Sequence, residues 1–410
     1  MAAITATVDG RTETWKDKKR WIWPVALLVP MLPFGAYREA ERWGLDLFWF
    51  LGPLWILVFI PIVDTIIGTD KNNPPEWAEP ALEADRYYRI LTYLYLPLQY
   101  AGFVWGAWMF LHGDLSTVAK IGLTLTVGTV GGIGIANAHE LGHKKVKLER
   151  RVAKVVLAQT GYGHFVVEHN RGHHARVATP EDPATARFGE SFWAFFPRSV
   201  IGAARSGWTL EKNRLARKGT GPWTLQNDVL NAWVLTVVLF AGMLVAFGPG
   251  IAPYLIGQAI FGFSLLEVVN YLEHYGLLRQ KDEKGRYERC QPRHSWNSDH
   301  VATNVLLYGL ERHSDHHANP TRRYQTLRTF DEAPQLPSGY GTMIGIAYLP
   351  PLWRKVMDKR VLALYDGDLS KINVDPRKRA KVERRYGHLA TSMADAAAGS
   401  GTTEPATAST

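Results

Sequence analysis

The chain has 410 residues and a formal net charge of +9, yet it carries a single cysteine, Cys290. One thiol excludes an internal disulfide framework and a resident iron–sulfur cluster, so any electrons used in catalysis must come from a separate protein. The basic balance comes without a nucleic-acid-binding motif; this sets nucleic acid aside and leaves a cytoplasmic membrane face or an acidic protein as what the charge meets.

A mean hydropathy of −0.13 would suit a soluble protein, but the apolar residues come in blocks. Residues 1–20 are polar and lack a signal-peptide cleavage pattern, so they are expected to stay in the cytosol. Six stretches then approach the roughly 20 apolar residues that span a bilayer. They are Trp21–Tyr37, Leu45–Ile67, Ile90–Leu111, Ile121–Ala138, Val229–Phe247 and Ile251–Leu272, the first interrupted by Pro24, Pro30 and Pro33. Lys16, Lys18, Lys19 and Arg20 precede the first stretch, and His139–Asp228 is dense in Lys and Arg, whereas the connections Arg38–Gly44, His112–Lys120 and Gly248–Gly250 are short and nearly charge-balanced. The positive-inside rule therefore puts both termini in the cytosol, and the fourth and sixth spans both end at that face. The segment after the fourth span holds an expected interfacial helix, Val152–Val167, and a Pro- and Asp-rich loop at Thr179–Pro183. The expected fold is all-α and integral to the membrane: six transmembrane helices under a cytosolic helical cap, one domain over 21–385, and a disordered tail over 386–410.

The 14 histidines cluster. The fourth span ends in His139-Glu-Leu-Gly-His143, a second group reads Glu168-His169-Asn-Arg-Gly-His173-His174, a third reads His313-Ser-Asp-His316-His317, and His274 follows the sixth span. Residues i and i+4 of a helix share a face, so His139 and His143 can reach one metal. In the second and third groups the leading His and one member of the pair share a face, while the other member points elsewhere. One helix can thus serve two neighbouring metals. Nine clustered imidazoles exceed the four to six or so ligands of one first-row metal, and imidazole suits iron, copper, zinc or nickel. His112, His164 and His388 are isolated and are read as ordinary polar residues. Glu140, Glu168, Glu273 and Asp315 adjoin the clusters and, with His294 and His300, are candidates to orient the ligands from outside.

His139–His143 also matches the H-E-x-x-H pattern of zinc proteases, in which the Glu is the general base. That reading leaves His169, His173, His174, His313, His316 and His317 unexplained. A metal transporter would hold its cargo ligands near the bilayer midplane, whereas these histidines lie just past the helix ends. Gly128, Gly131, Gly132 and Gly134 line up in the fourth span; they permit close helix approach and leave room for a narrow apolar channel.

At these clusters the sequence resembles the membrane histidine-rich iron oxygenases, and most closely the alkane 1-monooxygenases. The resemblance is carried by HELGHK at His139–Lys144, EHNRGHH at Glu168–His174, NYLEHYGL at Asn270–Leu277 and RHSDHHA at Arg312–Ala318, with NNPP at Asn72–Pro75, ATPEDPA at Ala178–Ala184 and HSWNS at His294–Ser298. It runs from about residue 16 to 370. It implies a non-heme di-iron centre held by His139, His143, His169, His173, His174, His274, His313, His316 and His317. It further implies conversion of a medium-chain n-alkane by dioxygen and two electrons to the primary alcohol and water, with electrons from rubredoxin and its reductase, in the bacterial cytoplasmic membrane. The basic cytosolic surface suits an acidic rubredoxin, though topology-setting charge explains most of it equally well. A fatty-acyl desaturase or a xylene-type side-chain hydroxylase would share the irons. Glu311 stands where the family pattern has Gln, a departure expected to stay clear of the metals. The second span is expected to shape the substrate channel, with Trp49, Trp55 or Ile56 setting its depth.

Overall fold

The computed structural model describes residues 3–387. His388 and the expected tail lie outside them, except Tyr386 and Gly387, which belong to a helix that begins at residue 379.

The chain opens on two strands rather than helix. β1 (Ala3–Val8) and β2 (Arg11–Lys16) pair antiparallel, with Val8 opposite Arg11. Between them Asp9 and Gly10 both take positive φ, 48° and 77°. An Asp-Gly pair suits a two-residue turn whose twist matches its strands. This hairpin corrects the all-α expectation: its alternation of Ile, Thr and Val is a strand signal hidden in a polar segment.

A 3-10 stretch, Trp23–Met31, leads into α1 (Leu32–Trp43), which Gly44 closes at φ 65°. Pro30 inside the 3-10 stretch lacks the N–H that an α-helix would need. The next run changes hydrogen-bond register repeatedly: 3-10 over Asp46–Phe50, α2 (Leu51–Leu54), a π turn over Trp55–Phe59, then α3 (Ile60–Ile67). There follow α4 (Glu79–Ala84), α5 (Arg86–His112), α6 (Thr117–Gly142) and α7 (Lys147–Ala158). α8 (Phe165–Glu168), a π turn over His169–His173 and α9 (His174–Arg176) form one continuous piece. α10 (Phe192–Ala216), α11 (Asp228–Phe247) and α12 (Ala252–His274) are long; the shorter α13 (Val301–Leu306), α14 (His313–Ala318), α15 (Tyr340–Ala347) and α16 (Pro350–Leu364) follow. The expected interfacial helix Val152–Val167 is instead broken, since α7 stops at Ala158 and Gly161 turns the chain at φ 69° before α8.

Four helical runs among the described residues are long and apolar enough to cross a membrane: Asp46–Ile67, Thr117–Gly142, Asp228–Phe247 and Pro249–His274. The chain is a membrane protein. Of the two other expected spans, the first is split by its prolines and stops at Tyr37, where the charged half of α1 begins. α5 has the length, but Arg86, Arg89 and five tyrosines dilute its apolar character.

α6 is the central helix and α12 lies against it. A Cβ at Gly128 would sit 2.8 Å from the carbonyl of Gln258, and one at Gly132 2.8 Å from that of Gly262. Small residues are therefore required for the two backbones to approach this closely. The approach brings the histidine-bearing ends of α6 and α12 side by side.

Candidate metal centre

Nine histidines converge from four segments, and they divide into two groups. His139, His143, His169, His174 and His316 form one; His173, His274, His313 and His317 form the other. Within each, one nitrogen per ring lies within 4.8 Å of all the rest.

Local backbone geometry decides the division. His139 and His143 are one turn apart at the end of α6, and His313 and His317 one turn apart on α14. The second cluster does not follow α-helical spacing, which would pair His169 with His173. In an α-helix residues five apart point about 140° away from each other. The π turn over His169–His173 adds one residue to the turn and brings His169 and His174 to the same side, their Nε2 atoms 3.1 Å apart. His173 is thereby turned toward the other group. His174 Nε2 also lies 3.0 Å from His316 Nε2, while His313 Nε2 lies 3.2 Å from His274 Nε2 and 3.0 Å from His317 Nε2.

These rings fit a metal centre. The Nε2 atoms of His139, His143 and His173 are buried without any hydrogen-bond partner among the described residues. A buried nitrogen with no partner is costly unless something ligates it. Burial, reinforced by neighbouring imidazoles, holds His169, His174, His316 and His317 well below the ordinary histidine range, in the neutral form that ligates metals.

The outer partners differ in part from expectation. His173 Nδ1 meets Asp182 Oδ2 at 2.9 Å, and Thr185 Oγ1 donates to that same oxygen at 2.6 Å. Sequence reasoning missed Asp182; the signal available was its place in the quoted ATPEDPA segment. His274 Nδ1 donates to the carbonyl of His294 at 3.2 Å, so His294 contributes backbone rather than ring; its ring meets Glu288 and Gln291. Glu273 does reach the site: its Oε2 is 3.3 Å from His313 Nε2, and Tyr340 Oη donates to its Oε1 at 2.9 Å. Four candidates do not orient a ligand. Glu140 pairs with Lys144 at 3.1 Å, Glu168 with Arg176 at 3.0 Å and Asp315 with Arg322 at 2.7 Å; His300 Nδ1 faces Ser298 Oγ at 2.7 Å. Nearby cations outcompete neutral imidazole for these carboxylates. Glu140, buried against Lys144, is not poised as the base of a zinc protease. Glu311 accepts from Tyr340 N and Asn304 Nδ2 and belongs to neither histidine group.

An apolar cavity adjoins the centre. Trp55 and Ile56 line it, with Gly132 and Ala136 of α6, Leu265 and Val269 of α12, and Tyr340. Ala136 precedes His139 by three residues and Val269 precedes His274 by five, so the cavity lies about 5–8 Å along these helices from the histidines at 1.5 Å per residue. Trp49 is outside it, buried among other residues with its ring against Tyr37.

A sequence model of the fatty acid desaturase family matches residues 115–347. Alkane 1-monooxygenase 1 of Alcanivorax borkumensis is 45% identical over 92% of this chain and 94% of its own length, and the alkane 1-monooxygenase of Acinetobacter baylyi 44% identical over 90% and 92%. The hydroxylase component of a Pseudomonas putida xylene/toluene monooxygenase is 28% identical over 77% of this chain and 85% of its own. A helical membrane chain with two histidine groups near an apolar cavity, which matches the alkane 1-monooxygenases over about nine-tenths of its length, belongs to the fatty acid desaturase family and, within it, to the alkane 1-monooxygenases.

Proposed function

We propose that the protein hydroxylates medium-chain n-alkanes at the terminal carbon, using dioxygen and electrons from rubredoxin that are supplied in turn by a rubredoxin reductase. The observation that carries this reading is the apolar cavity about one to two helical turns from the histidines that end α6 and α12. His139, His143, His169, His174 and His316 would hold one iron, and His173, His274, His313 and His317 the other, with the Glu273 carboxylate beside His313 Nε2. When bound, the irons supply the activation of dioxygen that an unactivated C–H bond requires.

The chain's own residues do the rest. The cavity wall is apolar apart from Thr303 and Tyr340, so it offers an alkane no polar competitor and gives water few partners. With Trp55 and Ile56 in its wall and the histidine-bearing ends of α6 and α12 close by, such a cavity would take a chain end-on and select the terminal methyl by position. Asp182 and the His294 carbonyl fix the orientations of His173 and His274. We place residues 21–385 in one six-span unit of a bacterial cytoplasmic membrane, both termini cytosolic, so that the histidine groups face the compartment of the electron donor.

The test is product analysis with iron-loaded enzyme in vesicles, rubredoxin, its reductase, oxygen and octane. The expected product is 1-octanol and the expected metal content two irons per chain. No 1-octanol, or one zinc per chain, overturns the reading.

A further inference from the structure

A line of aromatic rings leads from the histidine groups to the protein surface. Phe165 stacks on His169 with centroids 4.7 Å apart, and Tyr162 follows at 6.5 Å. His164 lies 4.3 Å from Tyr162, Trp233 6.0 Å from His164, and Trp208 6.1 Å from Trp233, nearly parallel to it. Trp223 ends the line 5.0 Å from Trp208 and is 79% exposed. Anchoring at a membrane interface would account for an exposed tryptophan, but not for the inner end. There Tyr162, almost fully buried, donates its hydroxyl to Oε1 of Glu267 at 2.5 Å. Glu267 is a buried acid inside a spanning run, seven residues before His274, and its Oε2 has no hydrogen-bond partner among the described residues. A carboxylate in such a place is costly and calls for a use. His164, also buried, has neither ring nitrogen bonded, so its contribution is its π face.

We propose that Tyr162 is a redox-active tyrosine, and that Tyr162, Trp233, Trp208 and Trp223 carry away oxidising equivalents that the histidine centre has formed but not spent on substrate. This rests on the reading that the centre activates dioxygen. One electron leaves Tyr162 through Phe165 toward the oxidised centre. The phenolic O–H breaks and its proton passes to Glu267 Oε1, leaving a neutral phenoxyl radical and a carboxylic acid. An electron from Trp233, crossing His164, restores the phenol as Glu267 returns the proton. Trp208 and then Trp223 refill the line, and the oxidised Trp223 takes one electron from a thiolate in solution; two such passages give two thiyl radicals, which couple to a disulfide.

The experiment is rapid freezing of the iron-loaded holoenzyme after mixing reductant and oxygen without alkane, followed by electron paramagnetic resonance. The expected result is a tyrosyl signal that narrows with ring-deuterated tyrosine and is lost in Y162F. Mass spectrometry after many such turnovers should find oxidised Trp223 in the wild type and background levels in Y162F. Iron content and 1-octanol formation confirm that Y162F is folded. As a second variant at an exposed position, W223F should lengthen the life of the tyrosyl signal. A signal that persists in Y162F, equal Trp223 oxidation in both proteins, or unchanged decay in W223F overturns the proposal. Wild type that makes 1-octanol without any radical overturns it alone, whereas a radical without 1-octanol counts only against the alkane reading.

Discussion

His169 and His174 are five residues apart in the chain, yet their Nε2 atoms lie 3.1 Å apart. The π turn between them makes one short segment serve both groups, since it sends His173 to the other side. Such turns recur at functional sites because the extra residue re-aims side chains without breaking the helix.

Gly172 lies inside that turn, and a Cβ there would come 2.5 Å from Glu168 Oε1 and 2.6 Å from Arg176 Nη2. Gly172→Val should therefore force this ion pair apart at a strain of about 1–3 kcal/mol. Iron per chain is expected to fall, chiefly through the five-histidine group, with a lower midpoint of thermal unfolding. Wild-type iron content together with wild-type stability would refute the role given to the turn.

Asp182 holds His173 by a 2.9 Å contact to Nδ1. Asp182→Ala is expected to weaken iron binding by about 10–100-fold, the usual effect of losing a ligand's orienting partner. Competition against a graded chelator measures it. Unchanged affinity would mean that packing alone orients His173.

Tyr340→Phe removes the hydroxyl that donates to Glu273 while keeping the ring that lines the cavity. A buried carboxylate oxygen left without its donor costs about 1–3 kcal/mol. The expected outcome is full iron content with slower 1-octanol formation. An unaffected rate would show that the orientation of Glu273 does not matter to turnover.

Trp55→Ala removes the largest side chain of the cavity wall. The preferred alkane should shift to longer chains, read as the ratio of rates on octane and dodecane at equal saturation. An unchanged ratio would move the depth limit to another residue.

The histidine groups were legible because spacing on a helix is a sequence property: His139 with His143, and His313 with His317, follow from one turn of α-helix. The π turn was not, since apolar periodicity carries no mark of a hydrogen-bond register shift. Acids beside a cluster misled for a related reason. Glu140 and Asp315 adjoin histidines in the chain, but Lys144 and Arg322 claim them in space. Asp182 is loop-borne, and nothing local in the chain aims it at His173. The apolar cores of α6, α11 and α12 were readable from hydropathy, whereas the prolines of the first stretch and the tyrosines of α5 blurred their ends. Asp9-Gly10 was a strand-turn signal that the polar composition concealed.

Each histidine group draws members from α14 as well as from segments translated much earlier. The first cannot be completed until the ribosome has released residue 316, nor the second until it has released residue 317. The spans must then insert and pack before any metal is captured, so loading closes assembly instead of guiding it. A nascent chain stopped short of residue 313 would keep its apolar helices but leave both histidine groups incomplete.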